Sequence, residues 1–365
     1  MSMKERLEKL YAYMEQGGVD AMLITLPKHI YYLTGFLNEP NKRFMGLVLP
    51  KDEQPFLIVP LLDLEKAQLA SRVTAIYAHS DSSDPYALLR EKLAGPIAKL
   101  AVEEEHLHVA RYRDVMKATG ATESVDAGEP LREMRMVKGP EEIAIMKKAI
   151  LLIEEVLQAS ISYVKPGITE TDIVAEMEYQ MKKLGADAPA FSTIVLSGEK
   201  ASQPHGVSGS RKIQEGELLL FDTGVVVDGY LSDISRTFGV GEVNEKLTEM
   251  YETVLQANMA AIAAVRPGVT FASIDQTARD ILEQKGYGEY FLNRVGHGLG
   301  LEIHEYPSLH GNNHDLVREG MVFTIEPGIY IPQFAGVRIE DNVWVTTDGA
   351  EVLTSYPKEL KIIGV

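Results

Sequence analysis

Apolar positions in the first third of the chain fall in short runs broken by Gly and Pro. Lys4 to Met14 reads as an amphipathic helix ended by Gly17-Gly18, and Ala21 to Leu26 as a buried strand stopped by Pro27. His29 to Phe36 is aromatic-rich and breaks near Gly35. Phe44 to Leu49, Pro55 to Val59 and Ala98 to Val102 are further strand runs, with helical stretches at Leu62–Ala70 and Tyr86–Leu93. This alternation predicts a small α/β domain over residues 1–127, followed by a linker at 128–138.

The pattern changes after Gly139. Pro140-Glu141-Glu142 opens a long helix, with Pro and acids placed where a first turn tolerates them. Ile143, Met146, Ile150, Ile153 and Leu157 recur at helical spacing and predict its buried stripe. The rest of residues 139–365 contains an internal duplication. Val164-Lys165-Pro166-Gly167-Ile168-Thr169 returns 101 positions later as Val265-Arg266-Pro267-Gly268-Val269-Thr270. Each copy leads into a helix ended by Gly (Gly185, Gly286), then to His-Gly (His205-Gly206, His297-Gly298), then to a strand carrying an acid (Asp222, Glu326). The period is too long for a solenoid repeat. It predicts an α+β domain with a pseudo-two-fold axis at which acids from both halves meet.

Composition narrows the partners. The net charge of −17, without a block of Lys and Arg, excludes a general binder of nucleic acid or of an anionic membrane surface. The chain has no Cys, which excludes disulfides, thiolate catalysis and zinc–thiolate sites and fits a reducing compartment. The charged N-terminus is no signal peptide, and no apolar run approaches the roughly 20 residues that span a bilayer. The expected location is cytoplasmic.

The chemistry lies in the two acidic strand pairs. Val225-Val226-Val227 runs into Asp228-Gly229, a two-residue hairpin turn. That turn places Asp222 opposite Ser235, with Asp233 a diagonal neighbour on the same face. Glu326 and Glu340 sit symmetrically about Gln333, so a hairpin centred there sets them opposite one another. Bare carboxylates gathered in an apolar sheet repel and are poorly solvated, and a cation resolves both problems. With His297 the set is oxygen-rich with one nitrogen, which favours Mn²⁺, Fe²⁺ or Co²⁺ over thiolate-type zinc. Four carboxylates suit two ions about 3.5–4 Å apart. Singly, each of these residues is more often a cap, a solvent-facing acid or a satisfied core His. Together, in a duplicated frame, they read as a two-metal hydrolase site.

Rival motifs fail. Gly296-His297-Gly298-Leu299-Gly300 lacks both the dinucleotide-binding register and the P-loop Lys. His304-Glu305-Tyr306-Pro307-Ser308 is not a zincin helix, since the fifth residue is Ser and Pro307 breaks it. Gly206-Val207-Ser208-Gly209-Ser210 is not a nucleophile elbow. His106 and His108 share a strand face without a carboxylate partner and read as structural, and His310 and His314 as solvated.

The segments Pro204-His205-Gly206-Val207, Phe221-Asp222-Thr223-Gly224, Ser232-Asp233-Ile234-Ser235-Arg236-Thr237, Gly296 to Glu305, Thr324-Ile325-Glu326-Pro327-Gly328 and Gly336-Val337-Arg338-Ile339-Glu340-Asp341 together resemble the pita-bread metallopeptidases. The N-terminal Ile30-Tyr31-Tyr32-Leu33-Thr34-Gly35-Phe36 is similar to the first domain of the prolidase and Xaa-Pro aminopeptidase branch. Creatinase, a metal-free relative, lacks the carboxylates that are intact here. The resemblance implies an α/β N-terminal domain and a pita-bread catalytic domain. It also implies two divalent ions, with Mn²⁺ the first expectation and Co²⁺, Fe²⁺ or Zn²⁺ as alternatives. Asp222 then ligates one ion, Asp233 and Glu340 bridge, and His297 and Glu326 ligate the other. Glu326 also shuttles a proton, His304 steadies the tetrahedral intermediate, His205 contacts the scissile or P1′ region, and Arg338 orients substrate. A small peptide substrate and a homodimer are implied as well. The activity implied is Xaa-Pro dipeptide hydrolysis, preferred because the chain is short at its N-terminus. The alternatives are an Xaa-Pro aminopeptidase, another hydrolase, or a scaffold on the same fold. One position departs from the pattern. Prolidases commonly place Arg after the Pro of His-Glu-x-Pro, where a cation would hold a dipeptide's carboxylate. This chain has Ser308, and Arg338 is the expected substitute.

Overall fold

The computed structural model describes residues 1–93 and 95–364. It divides into two units, Met1–Met134 and Arg135–Val365. The segment 128–138, expected to be a linker, is largely the helix Gly128–Met136. Its charged residues hide an apolar pair at helical spacing, Leu131 and Met134, and both are buried.

The first unit is built on a six-stranded mixed sheet. Its order is Ala75–His79, Phe56–Pro60, Gly46–Pro50, Ala21–Ile24, Lys99–Val102, Glu123–Asp126. The three strands Ala21–Ile24, Gly46–Pro50 and Phe56–Pro60 are buried at every position. They therefore read as continuous apolar runs instead of alternating ones. The aromatic-rich stretch after Pro27 is the helix Pro27–Thr34, with Pro27 in its first turn and Gly35 capping it at φ 80. His106 and His108 are not on a strand. The strand ends at Val102, Glu103 starts a turn whose carbonyl accepts from the His106 and Leu107 amides, and His108 becomes the N-cap of the helix Val109–Thr119.

In the second unit the sequence duplication is a structural one. The helices Pro140–Ile161 and Glu170–Leu184 form one half, and Glu245–Ala264 and Phe271–Gln284 the other. The predicted stripe of the first helix, Ile143, Met146, Ile150, Ile153 and Leu157, is buried. The two Pro-Gly-x-Thr copies do the same work. Gly167 and Gly268 take φ 94 and 87, and Thr169 and Thr270 cap the following helices with their side chains. Each helix pair covers a sheet. One has the order Ile362–Ile363, Ile234–Val240, Leu218–Thr223, Ile194–Ser197. The other runs Glu305–Leu309, Gly296–Gly298, Val322–Ile325, Asp341–Val345, Ala350–Val352. Each half packs its own apolar core, around Leu157, Met177 and Phe221 in one and Val254, Ile274 and Phe323 in the other.

Both hairpin registers follow the expectation. Asp222 pairs with Ser235, and Asp228-Gly229 makes the turn between Val227 and Tyr230 with both residues at positive φ. The pairs Ile325↔Asp341 and Gly328↔Arg338 set Glu326 opposite Glu340, with Gln333 in the left-handed region at the turn. Among the described residues no helix is long and apolar enough to cross a membrane.

Candidate metal centre

The two halves are joined where their acidic strands touch. The Glu340 amide donates to the Ser235 carbonyl at 3.1 Å, and the Ser235 hydroxyl donates to Glu340 Oε2 at 2.7 Å. Thr237 Oγ1 donates to the Arg338 carbonyl at 3.0 Å. These bonds bring Asp222 and Asp233 from one half beside Glu326 and Glu340 from the other. All four line one cavity of about 360 Å³ with His205, His297, His304 and Arg338.

His297 reaches that cavity because Gly flanks it. A Cβ on Gly296 would lie 1.9 Å from the Thr324 carbonyl oxygen, and one on Gly298 would lie 2.2 Å from that of Tyr306. Only glycine lets the strand lie that close on both sides. The His297 Nδ1 is 3.1 Å from the Gly298 carbonyl, which fixes the ring with Nε2 toward the carboxylates. Nε2 lies 3.3 Å from Glu326 Oε1 and 3.7 Å from Asp233 Oδ2. Burial, and then the neighbouring His304, hold the His297 imidazole down at about 3, so it stays neutral and available as a ligand.

The carboxylates are strained electrostatically. Burial, then Glu340, Asp222 and Glu326, push the Asp233 carboxyl well above its ordinary range. Burial, then Glu326 and Asp222, do the same to Glu340. Glu326 is raised to about 7, first by burial and then by Asp222 against the opposing pull of Arg338. Asp233 Oδ1 and Glu340 Oε1 are buried and accept no hydrogen bond. Asp233, His297 and Glu340 can each turn one ligand atom to within 4.8 Å of the others. Neutral imidazole, orphaned carboxylate oxygens and uncompensated negative charge all fit a divalent cation. Asp222 lines the same cavity but is paired with the Arg338 guanidinium.

Arg338 is fully engaged. Besides Asp222, its Nε donates to Ser235 Oγ at 2.8 Å, and its Nη1 to the Tyr330 hydroxyl at 2.7 Å. The His304 ring stands edge-on to His297, centroids 4.2 Å apart. The residue after it, Glu305, is buried and anchors the turn that carries His304. It accepts from the Leu301 and Glu302 amides at 2.6 and 3.0 Å and pairs with Arg135 at 2.5 Å.

Several contributors carried no sequence signal. Asn258, in the middle of the helix Glu245–Ala264, donates to the carbonyls of both Ile325 and Ile339 and so clamps the backbone before Glu326 and Glu340. Arg236 is 1% exposed, donates to the Glu340 carbonyl at 2.5 Å and pairs with Asp341. Phe191, Ile194, Arg294 and Tyr330 complete the cavity wall. A polar residue within a helix pattern, or an Arg in a strand, is informative only once its partner is placed.

Comparison with known proteins agrees with this architecture. Residues 144–347 match the model of metallopeptidase family M24, and residues 6–137 match that of the creatinase/prolidase N-terminal domain. The Bacillus subtilis relative YkvY is 43% identical across 98% of this chain and 99% of its own length. The Xaa-Pro dipeptidase from Bacillus anthracis superposes with a TM-score of 0.92 at 33% identity, covering 99% of this chain and 100% of that one. The X-Pro aminopeptidase from Thermotoga maritima superposes with a TM-score of 0.87 at 31% identity, covering 95% and 98%. The second unit thus has the pita-bread fold, and the chain belongs to metallopeptidase family M24, joined to a creatinase/prolidase-type N-terminal domain.

Proposed function

We propose that this metallopeptidase hydrolyses the Xaa-Pro bond of dipeptides, using two divalent ions, first of all Mn²⁺, held by Asp222, Asp233, His297, Glu326 and Glu340. The observation that carries the reading is the buried cluster of carboxylates around a neutral imidazole, opening on a cavity lined by His205 and His304. Bound divalent ions would supply Lewis-acid polarisation of the scissile carbonyl and an acidified water.

The protein's own groups cover the remaining needs. Water oxygen bonds to the carbonyl carbon, the C–N bond breaks, and the prolyl nitrogen must leave protonated. Glu326 takes the proton from the attacking water and passes it to that nitrogen. His304 donates a hydrogen bond to the oxygen on which negative charge develops. His205 lies along the wall on the prolyl side. Arg338, whose donors are occupied, holds Asp222 in place. A prolyl amide has no N–H, so recognition of this bond cannot use the extended-backbone pairing open to other peptides.

The Thermotoga maritima structure, named an X-Pro aminopeptidase, keeps a second reading in view: cleavage of the same bond in longer peptides. Rates on Leu-Pro, Leu-Pro-Leu and Leu-Ala after Mn²⁺ loading separate the two. We expect Leu-Pro to be preferred and Leu-Ala resisted. Preference for Leu-Pro-Leu favours the aminopeptidase, and metal-loaded protein that cleaves neither prolyl peptide contradicts both. We further infer a cytoplasmic homodimer, which sedentation at micromolar concentration checks by sedimentation velocity.

A further inference from the structure

We propose that Arg294, held by Ser308, binds the free carboxylate of the dipeptide and thereby selects dipeptides over longer peptides. The inference rests on the Xaa-Pro reading above and identifies the group that reads the far end of the substrate.

Arg294 lines the metal-centre cavity beside His304 and His205. Its Nη1 donates to Ser308 Oγ at 2.9 Å. Ser308 in turn is the cross-strand partner of His297. This places a half-buried guanidinium at one edge of the site and restrains it with a neutral hydroxyl. Among the described residues no carboxylate lies within ion-pair distance of Arg294. The other cation in the wall, Arg338, is already neutralised by Asp222 and tied to Ser235 and Tyr330. Arg338 therefore has no fork left for a substrate. Arg294 does, because the hydroxyl engages one nitrogen and leaves the remaining donors of a planar five-donor group. Its charge is felt throughout the site, since it holds the imidazoles of both His297 and His304 down.

A dipeptide needs such a group. Its carboxylate hangs from the carbon bonded to the scissile nitrogen, so it must sit a few ångströms from the metal centre. Four carboxylates of the protein face that volume and repel it. A guanidinium there offsets the repulsion and can accept the carboxylate bidentately. A longer peptide presents a neutral amide at the same place, which cannot replace the water lost from a desolvated guanidinium. The position after Pro307 that carries Arg in many prolidases is Ser308 here. The cation comes from the neighbouring strand segment, and the serine orients it.

The test compares Leu-Pro with Leu-Pro amide, which differ only in the charge at that end, for wild type, Arg294→Gln and Arg294→Lys loaded with Mn²⁺. Arg294→Gln is expected to lower kcat/KM for Leu-Pro by roughly 10- to 150-fold, the range for losing a charged hydrogen bond, chiefly through KM. The amide should change by less than about 3-fold, and Arg294→Lys should recover part of the loss on Leu-Pro alone. Amide turnover by the same variant shows that it is folded and loaded. Equal losses on both compounds in both variants overturn the proposal. So does an effect that follows the residue before proline, measured with Ala-Pro and Glu-Pro. A wild type that prefers the amide overturns it while leaving the Xaa-Pro reading intact. Metal-loaded wild type inactive on both overturns the Xaa-Pro reading itself.

Discussion

The Ser235 hydroxyl donates to Glu340 Oε2 at 2.7 Å while accepting from Arg338 Nε at 2.8 Å. This small residue thus joins the two halves of the catalytic unit and fixes a candidate bridging carboxylate and the arginine that holds Asp222. Removing the hydroxyl leaves a buried carboxylate oxygen and a guanidinium nitrogen each short of a partner. Ser235→Ala should cost about 1–3 kcal/mol of stability. It should also weaken metal affinity by about 10- to 100-fold, as loss of an outer partner of a ligand does. Thermal unfolding and metal titration measure the two losses.

Asp233→Ala and Glu340→Ala should each abolish metal binding and peptidase activity together. His304→Ala should leave metal binding intact and cost about 10²- to 10⁴-fold in kcat, the range for losing one positioned proton donor. Calorimetric titration beside steady-state kinetics distinguishes the two classes. Metal loss in His304→Ala would reverse its assigned role.

The raised Glu326 carboxyl has a consequence for the metal-free protein. Its folded value of about 7 lies above the ordinary 4.5, so the folded state binds its proton more tightly than the unfolded chain does. Its contribution is fully present below about 4.5 and is lost as pH rises toward 7. Glu326→Gln does not titrate and should gain stability relative to wild type across that window, by at most about 3 kcal/mol, then level off. Denaturant unfolding in EDTA at pH 4.5, 6 and 7.5 gives the difference directly. A gain that appears only below pH 4.5 has the wrong sign.

Asn258→Ala removes the clamp on the Ile325 and Ile339 carbonyls without touching any proposed ligand. Two buried acceptors lose a partner, at about 1–3 kcal/mol each. The melting temperature should fall while metal stoichiometry is unchanged.

Much of this centre is legible in the chain because its geometry is local. Asp228-Gly229 and the symmetry about Gln333 set the two hairpin registers, and with them which acids share a face. The repeated Pro-Gly-x-Thr turns reveal the two halves, since the same glycine conformation and the same threonine cap recur. The helix Gly128–Met136 and the turn at His106 are less legible. Charged residues mask the two buried positions of the first, and Glu103 ends the strand that the second seemed to continue. Arg294, Asn258 and Glu305 act across the fold, on partners 14 to 170 positions away. Their roles depend on packing that no local spacing encodes.

The central claim is most directly tested by titrating EDTA-treated protein with Mn²⁺ while following Leu-Pro hydrolysis. The account predicts negligible cleavage without metal and a rate that reaches its plateau as two ions bind per chain. Full occupancy with no Leu-Pro cleavage, or cleavage undiminished in metal-free protein, would contradict it.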